Sequence, residues 1–116
     1  MTNASGNPIT FCVATQLAGL RLSDAQIYTL RRMNSGRGYL LRGDGKKADE
    51  KRPCVFSSSG WEPVSAPSVP VLYRLGLVDW ERDTAKEPSR WYNVRLTPAG
   101  VIAAKTARTH EERNQS

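Results

Sequence analysis

The stretch LYRLGLVDWERDTAKEPSRWYNVRLTPAG, residues 72 to 100, constrains the fold more tightly than any other part of the chain. Gly76 follows a helical pattern and suits the left-handed residue that ends a helix, whereas Thr97 and Pro98 read as the N-cap and first residue of the next. Between these two marks there is room for extended chain and a turn. Leu77 to Glu81 reads as a strand and RDTAKEPS as a polar loop. Residues 91 to 96 alternate Tyr92, Val94 and Leu96 against Trp91, Asn93 and Arg95, the period of a half-buried strand. A two-stranded wing over residues 77 to 96, held between two helices, is therefore predicted.

The helix before the wing is positioned by its prolines. With Ser65 as N-cap, Pro70 would remove an interior hydrogen bond; with Ser68 as N-cap it falls in the first turn, where no amide is needed. The helix is accordingly predicted from about Val69 to Leu75, with Val69, Leu72 and Leu75 inward and Pro70, Tyr73 and Arg74 directed elsewhere. An earlier helix, Asp24 to about Met33, is announced by a capping box of Ser23 and Gln26, by a staple of Leu22 and Ile27, and by a stop at Asn34 and Gly36. Its Arg31 and Arg32 should face outward. The last helix, opened by Thr97 and Pro98, should continue from Val101 to about Arg108 and give way to a charged, flexible tail, 109 to 116, holding the solvated His110.

Between the first two helices, Tyr39 to Leu41 and Cys54 to Phe56 read as the strands of an additional hairpin around a long basic loop. Gly43 to Lys46 lacks the spacing of a phosphate-binding loop, so its glycines are read as turn residues. Upstream, residues 1 to 8 form a polar leader and ITFCVATQLAGL, 9 to 20, suits either a strand or a short helix packed on the core. The expected organisation is thus a leader and packing segment over 1–22, one α+β domain over 23–108, and the tail.

Seventeen Lys and Arg against eleven Asp and Glu leave a net charge of +6, which favours polyanionic partners. Most of the excess lies between Arg31 and Arg52, with eight cations against three acids; it reads equally as a solvated loop or as a phosphate-facing patch. No apolar run approaches the roughly 20 residues of a membrane helix, and the N-terminus lacks signal-peptide features, so no membrane association and a cytoplasmic setting are expected. Cys12 and Cys54 stand far apart and there is a single histidine, so no metal or other cofactor is expected and both cysteines are read as small core residues. No nucleophile, base and orienting group form a recognisable motif; Ser57-Ser58-Ser59-Gly60 lacks the leading glycine of a nucleophile elbow. An enzyme is not expected.

A helix, a Gly-Leu-Val strand, a polar loop, and a strand ending in VRLTPAG before another helix together resemble the C-terminal half of a winged helix-turn-helix domain of the MarR-like and PadR-like kind. The matching residues are Leu72, Leu75, Gly76, Leu77, Val78, Tyr92, Val94, Leu96, Thr97, Pro98 and Gly100. The resemblance spans about 23 to 108 and is strongest over 69 to 103. It implies a small helical core with a two-stranded wing, a recognition helix at 66 to 75, and double-stranded DNA as partner. By position, Ser65, Ser68, Tyr73 and Arg74 would serve the recognition helix. Arg82, Lys86, Arg90 and Arg95 would be the cations of the wing, and Lys46, Lys47, Lys51 and Arg52 those of the basic loop. The chain departs from that pattern in its short, proline-flanked recognition helix and in the hairpin standing where the family has its second helix.

Two functions follow from the resemblance. One is a transcriptional regulator of bacterial or phage origin. The other is a winged-helix protein-binding inhibitor from a phage or mobile element, of the anti-CRISPR type, acting on a host nuclease complex through surface aromatics among Trp61, Tyr73, Trp80 and Trp91. The C-terminal helix, rich in Ala, Val and Ile, could also pair two copies or simply cover the core.

Overall fold

The computed structural model describes residues 21 to 114, so the leader, the 9–20 segment and Cys12 lie outside the described residues. Those described form an α+β fold of four helices and one antiparallel sheet. The elements are α1 (Asp24–Asn34), β1 (Tyr39–Arg42), β2 (Ala48–Pro53), β3 (Trp61–Ser65), α2 (Ser68–Arg74), β4 (Val78–Trp80), β5 (Trp91–Leu96), α3 (Pro98–Thr106) and α4 (His110–Asn114). The strand order is β3-β2-β1-β5-β4, with every pair antiparallel.

Local chemistry explains where the helices begin and end. Ser23 Oγ accepts from the Gln26 amide at 3.2 Å while Gln26 Oε1 accepts from the Ser23 amide at 2.9 Å, which closes the capping box of α1. Thr97 Oγ1 accepts from the Gly100 amide at 3.0 Å and donates to the Gly76 carbonyl at 2.7 Å. One hydroxyl therefore caps α3 and pins it to the end of α2. Gly76 itself sits at φ +80°, and the Leu77 amide reaches back to the Leu72 carbonyl at 3.0 Å, the left-handed closure expected there.

The sheet packs its inner face against the helices. Tyr39, Leu41, Ala48, Val78 and Val94 from the strands meet Leu30 of α1, Val69 and Leu72 of α2, and Ala103 and Ala104 of α3 in one buried cluster. Because strand residues alternate, the outer face carries Leu40, Arg42, Asp49, Lys51, Trp61, Trp91, Asn93 and Arg95, and none of the described helices covers it.

Several expectations need correction. The additional hairpin exists, but its second strand is ADEKRP rather than Cys54 to Phe56, and β3 adds a strand that the sequence did not announce. Val55 and Phe56 lie in the turn between β2 and β3, 91% and 95% exposed, and Cys54 is half-buried rather than in the core. The long basic loop shrinks to the turn 43–47, and Lys51 and Arg52 stand on β2. In α2, Ser68 is the first helical residue and Pro67 precedes it with no side-chain cap, Pro70 is buried, and Leu75 is 41% exposed instead of inward.

The C-terminal segment also differs from the frayed tail that was expected. α3 ends at Thr106, and α4 is docked on α1: Arg31 donates to both carboxylate oxygens of Glu112 at 2.9 and 2.6 Å, and the His110 amide donates to Asp24 at 2.8 Å. Arg31 is thus a tether between helices. Thr109, 1% exposed, anchors the junction.

Candidate nucleic-acid interface

One end of the sheet gathers the turn 43–47, the loop 81–90 of the wing, and the chain entering α2, because β1 ends where β2 and β5 begin and β3 and β4 end there too. Wing and turn are fastened together. The Gly43 amide donates to the Arg90 carbonyl at 2.7 Å, and a Cβ on Gly43 would lie 1.9 Å from the Glu87 carbonyl oxygen. Only glycine permits that approach.

Beside this junction lies an open concavity of about 360 Å³ lined by Lys46, Lys47, Ser65, Arg74 and Trp91, with Pro67, Pro70 and Val71 along one stripe of α2. Four residues singled out from sequence therefore meet at one place: Ser65 and Arg74 from the recognition-helix set, Lys46 and Lys47 from the basic-loop set. Asp49 is the acid in the same wall. The ammonium groups of Lys46 and Lys47 and the guanidinium of Arg74 have no ion pair among the described residues and face solvent.

The remaining candidates are placed differently. Tyr73 is half-buried under the wing: its hydroxyl accepts from Trp80 Nε1 at 3.1 Å and the two rings lie 5.3 Å apart, so it braces the wing. Ser68 is half-buried and stands outside the lining of the concavity, in a helix of only seven residues. Lys86 is spent inside the wing. Its ammonium lies 5.2 and 5.3 Å from the rings of Trp80 and Tyr92 and donates to the Arg82 carbonyl at 2.9 Å and to the Thr84 carbonyl.

Arg82 and Arg90 are exposed on the wing loop, but Arg90 is 3.8 Å from Glu87, and Glu81 and Asp83 lie close by in sequence. Lys51, Arg52 and Arg95 are not part of the concavity. Lys51 and Arg95 stand on the outer face of the sheet, and Arg52 lies 3.8 Å from the buried Glu50. Arg42 is held by Asp44 at 2.7 Å, a pair that raises the pKa of the guanidinium and lowers that of the carboxyl through their hydrogen bonds.

Sequence reasoning offered Trp91 only as an aromatic anchor for a protein partner and missed its place in the wall of the concavity, which depends on the pairing of β5 with β1 opposite Arg42. Among the described residues no group of three His, Cys, Asp or Glu side chains is arranged to hold a metal ion. No described helix is long and apolar enough to cross a membrane. Comparison with protein families, curated proteins and solved structures finds no match to this chain.

Proposed function

We propose that this chain is a small winged-helix protein that binds duplex DNA as a transcriptional regulator, with the concavity between the turn 43–47 and α2 as its phosphate-facing surface. The observation that carries this reading is the meeting of Lys46, Lys47 and Arg74, all without ion-pair partners, beside the wing. Cations already paired to carboxylates gain less from a phosphate, since the existing partner must first be displaced. Three cations outside any ion pair, Lys46 with only a longer-range attraction to Asp44, neutralise phosphates and release counterions, which makes affinity fall with salt. Arg74 and Val71, on the open side of α2, are the side chains of that helix available to base edges, in place of Tyr73.

The test is duplex binding across a salt series. The expected log–log slope is about 0.9 for each phosphate contacted, and Lys46→Glu with Lys47→Glu should flatten it by roughly two such steps. Arg74→Ala should reduce preference for one sequence over another by about 1 to 3 kcal/mol if it reads a base. Salt-independent binding, or affinity untouched by all three substitutions, overturns the reading.

A protein-binding inhibitor is the second reading, and a specific observation favours it. Val55 and Phe56 project from the turn between β2 and β3 almost wholly into solvent, a natural anchor for a partner's pocket. Phe56→Ser should then abolish capture of a stoichiometric protein partner while leaving duplex affinity as it was.

A further inference from the structure

We infer that the open face of the sheet is a stacking platform for single-stranded nucleic acid, with Trp61 and Trp91 as its base-stacking rings and Lys51 and Arg95 as its phosphate contacts. This goes beyond the duplex reading and does not depend on it. All four described helices lie on other sides of the molecule, so the outer face meets solvent over β3, β2, β1 and β5.

The register fixes the layout. Trp61 is opposite Pro53, Lys51 opposite Pro63, Leu40 opposite Asn93, and Arg42 opposite Trp91, so all of these share the outer face. Strand spacing and rise put the two tryptophans at opposite corners, roughly 25 Å apart. Lys51 occupies the ground between them. Its ammonium is 5.4 Å from the Trp61 ring centroid and donates to Asn93 Oδ1 at 2.7 Å, and its stem passes over Gly38, where a Cβ would lie 3.3 Å from Lys51 Cδ. A positive charge is thus held above a low floor of Leu40, Gly38 and Pro63.

The chemistry of this face selects unpaired nucleotides. A ring standing on a sheet gains from a base by π-stacking, and a duplex hides those faces within its own stack. Trp91 is 39% exposed and has Arg42 beside it. Arg95 lies on β5 with Asp79 opposite it; Asp49 beside Leu40 and Glu81 beside Trp91 and Asn93 are further acids of the face, and Arg42 is already paired to Asp44. The face itself carries no excess of positive charge, so its attraction for phosphate comes from Lys51 and Arg95 together with Lys46 and Lys47 around the corner at Trp91. Asn93 and Ser65 add hydrogen-bonding groups without charge. The diagonal from Trp61 to Trp91 suits a stretch of about four nucleotides.

The experiment titrates the full chain with an oligothymidylate of about 15 nucleotides and with a duplex of the same length, reading tryptophan fluorescence and anisotropy. Quenching by the oligothymidylate is expected. Trp61→Ala should weaken that binding by about tenfold, and Trp61→Phe, which keeps a ring, should restore most of it. Arg95→Gln, at an exposed position, should weaken it and flatten its salt dependence with the thermal midpoint nearly unchanged. The inference is overturned if no single strand binds, or if Trp61→Ala and Arg95→Gln both retain full affinity for it. Duplex binding lost in Lys47→Glu with Arg74→Ala, while Trp61-dependent oligothymidylate binding persists, supports the platform; duplex binding that never occurs counts against the regulator reading alone.

Discussion

Glu50 shows how a charged residue comes to serve as a core residue. Its side chain is only 6% exposed, yet it stands on the inner face of β2, hydrogen-bonded by Arg37 and approached by Arg32 at 3.9 Å and Arg52 at 3.8 Å. The three arginines reach solvent and the carboxylate does not, so the pair is asymmetric. Arg52→Ala should cost less than about 1 kcal/mol, as for an exposed ion pair. Arg37→Ala removes the hydrogen-bond donor of a buried acceptor and should cost about 1 to 3 kcal/mol in chemical denaturation. Equal losses for both would show that Glu50 is solvated. Leu72, fully buried among strand and helix residues, gives the apolar counterpart: Leu72→Ala should lower stability by about 2 to 5 kcal/mol, and an unchanged midpoint would mean α2 does not bury this face.

At the scale of elements, α4 is tied to α1 by a bidentate ion pair, beside the hydrogen bond from the His110 amide to Asp24. The hydrogen bonds from Arg31 and then from the Thr109 amide hold the Glu112 pKa down at about 2, from an ordinary 4.5. A carboxyl whose folded pKa is depressed contributes stability that is present above its unfolded value and lost as pH falls through the folded one. Docking of α4 should therefore be intact above about pH 4.5 and weaken between 4.5 and 2. Arg31→Ala should raise the Glu112 midpoint toward the ordinary range in a carboxyl NMR titration, the Thr109 hydrogen bonds still holding it somewhat down; an unchanged midpoint would rule out the pair. Which elements were legible follows the same local logic. Ser23 with Gln26, Gly76, and Thr97 with Pro98 each satisfy backbone groups within a few residues, so α1, the end of α2, the β4–β5 hairpin and the start of α3 were readable, whereas the pairing of β5 with β1 in one five-stranded sheet was not. β2 was not, because its inward residues are Ala48 and Glu50, and the partners that make a buried glutamate tolerable come from α1, the α1–β1 connection and β2. Val55 and Phe56 misled for the opposite reason: apolar pattern signals burial only when another element arrives to cover it. The candidate site was legible as charge and not as availability. Sequence shows that Lys46, Lys47 and Lys86 are cations, but only the folded wing shows that Lys86 is enclosed by Trp80 and Tyr92.

For the molecule as a whole, the sheet keeps two features apart. The turn bearing Lys46 and Lys47 precedes β2, and the turn bearing Val55 and Phe56 follows it, so strand rise separates them by roughly 17 Å or more. At that distance, without shared partners, substitutions usually combine to within about 0.3 to 0.5 kcal/mol. Phe56 is 95% exposed and makes no core contact, so Phe56→Ser should shift folding stability by less than about 0.5 kcal/mol. Lys47→Glu, also at the surface, should change duplex affinity far more than it changes the fold. If the two ends act independently, the double variant Lys47→Glu with Phe56→Ser should show the duplex affinity of Lys47→Glu alone and the thermal midpoint expected from adding the single effects. A duplex affinity that drops further in the double variant would mean that DNA reaches both turns, along the length of β2. That outcome would move Phe56 from the protein-binding reading to the DNA-binding one, because an exposed ring at a hairpin tip can wedge between base steps only if the duplex is carried to it.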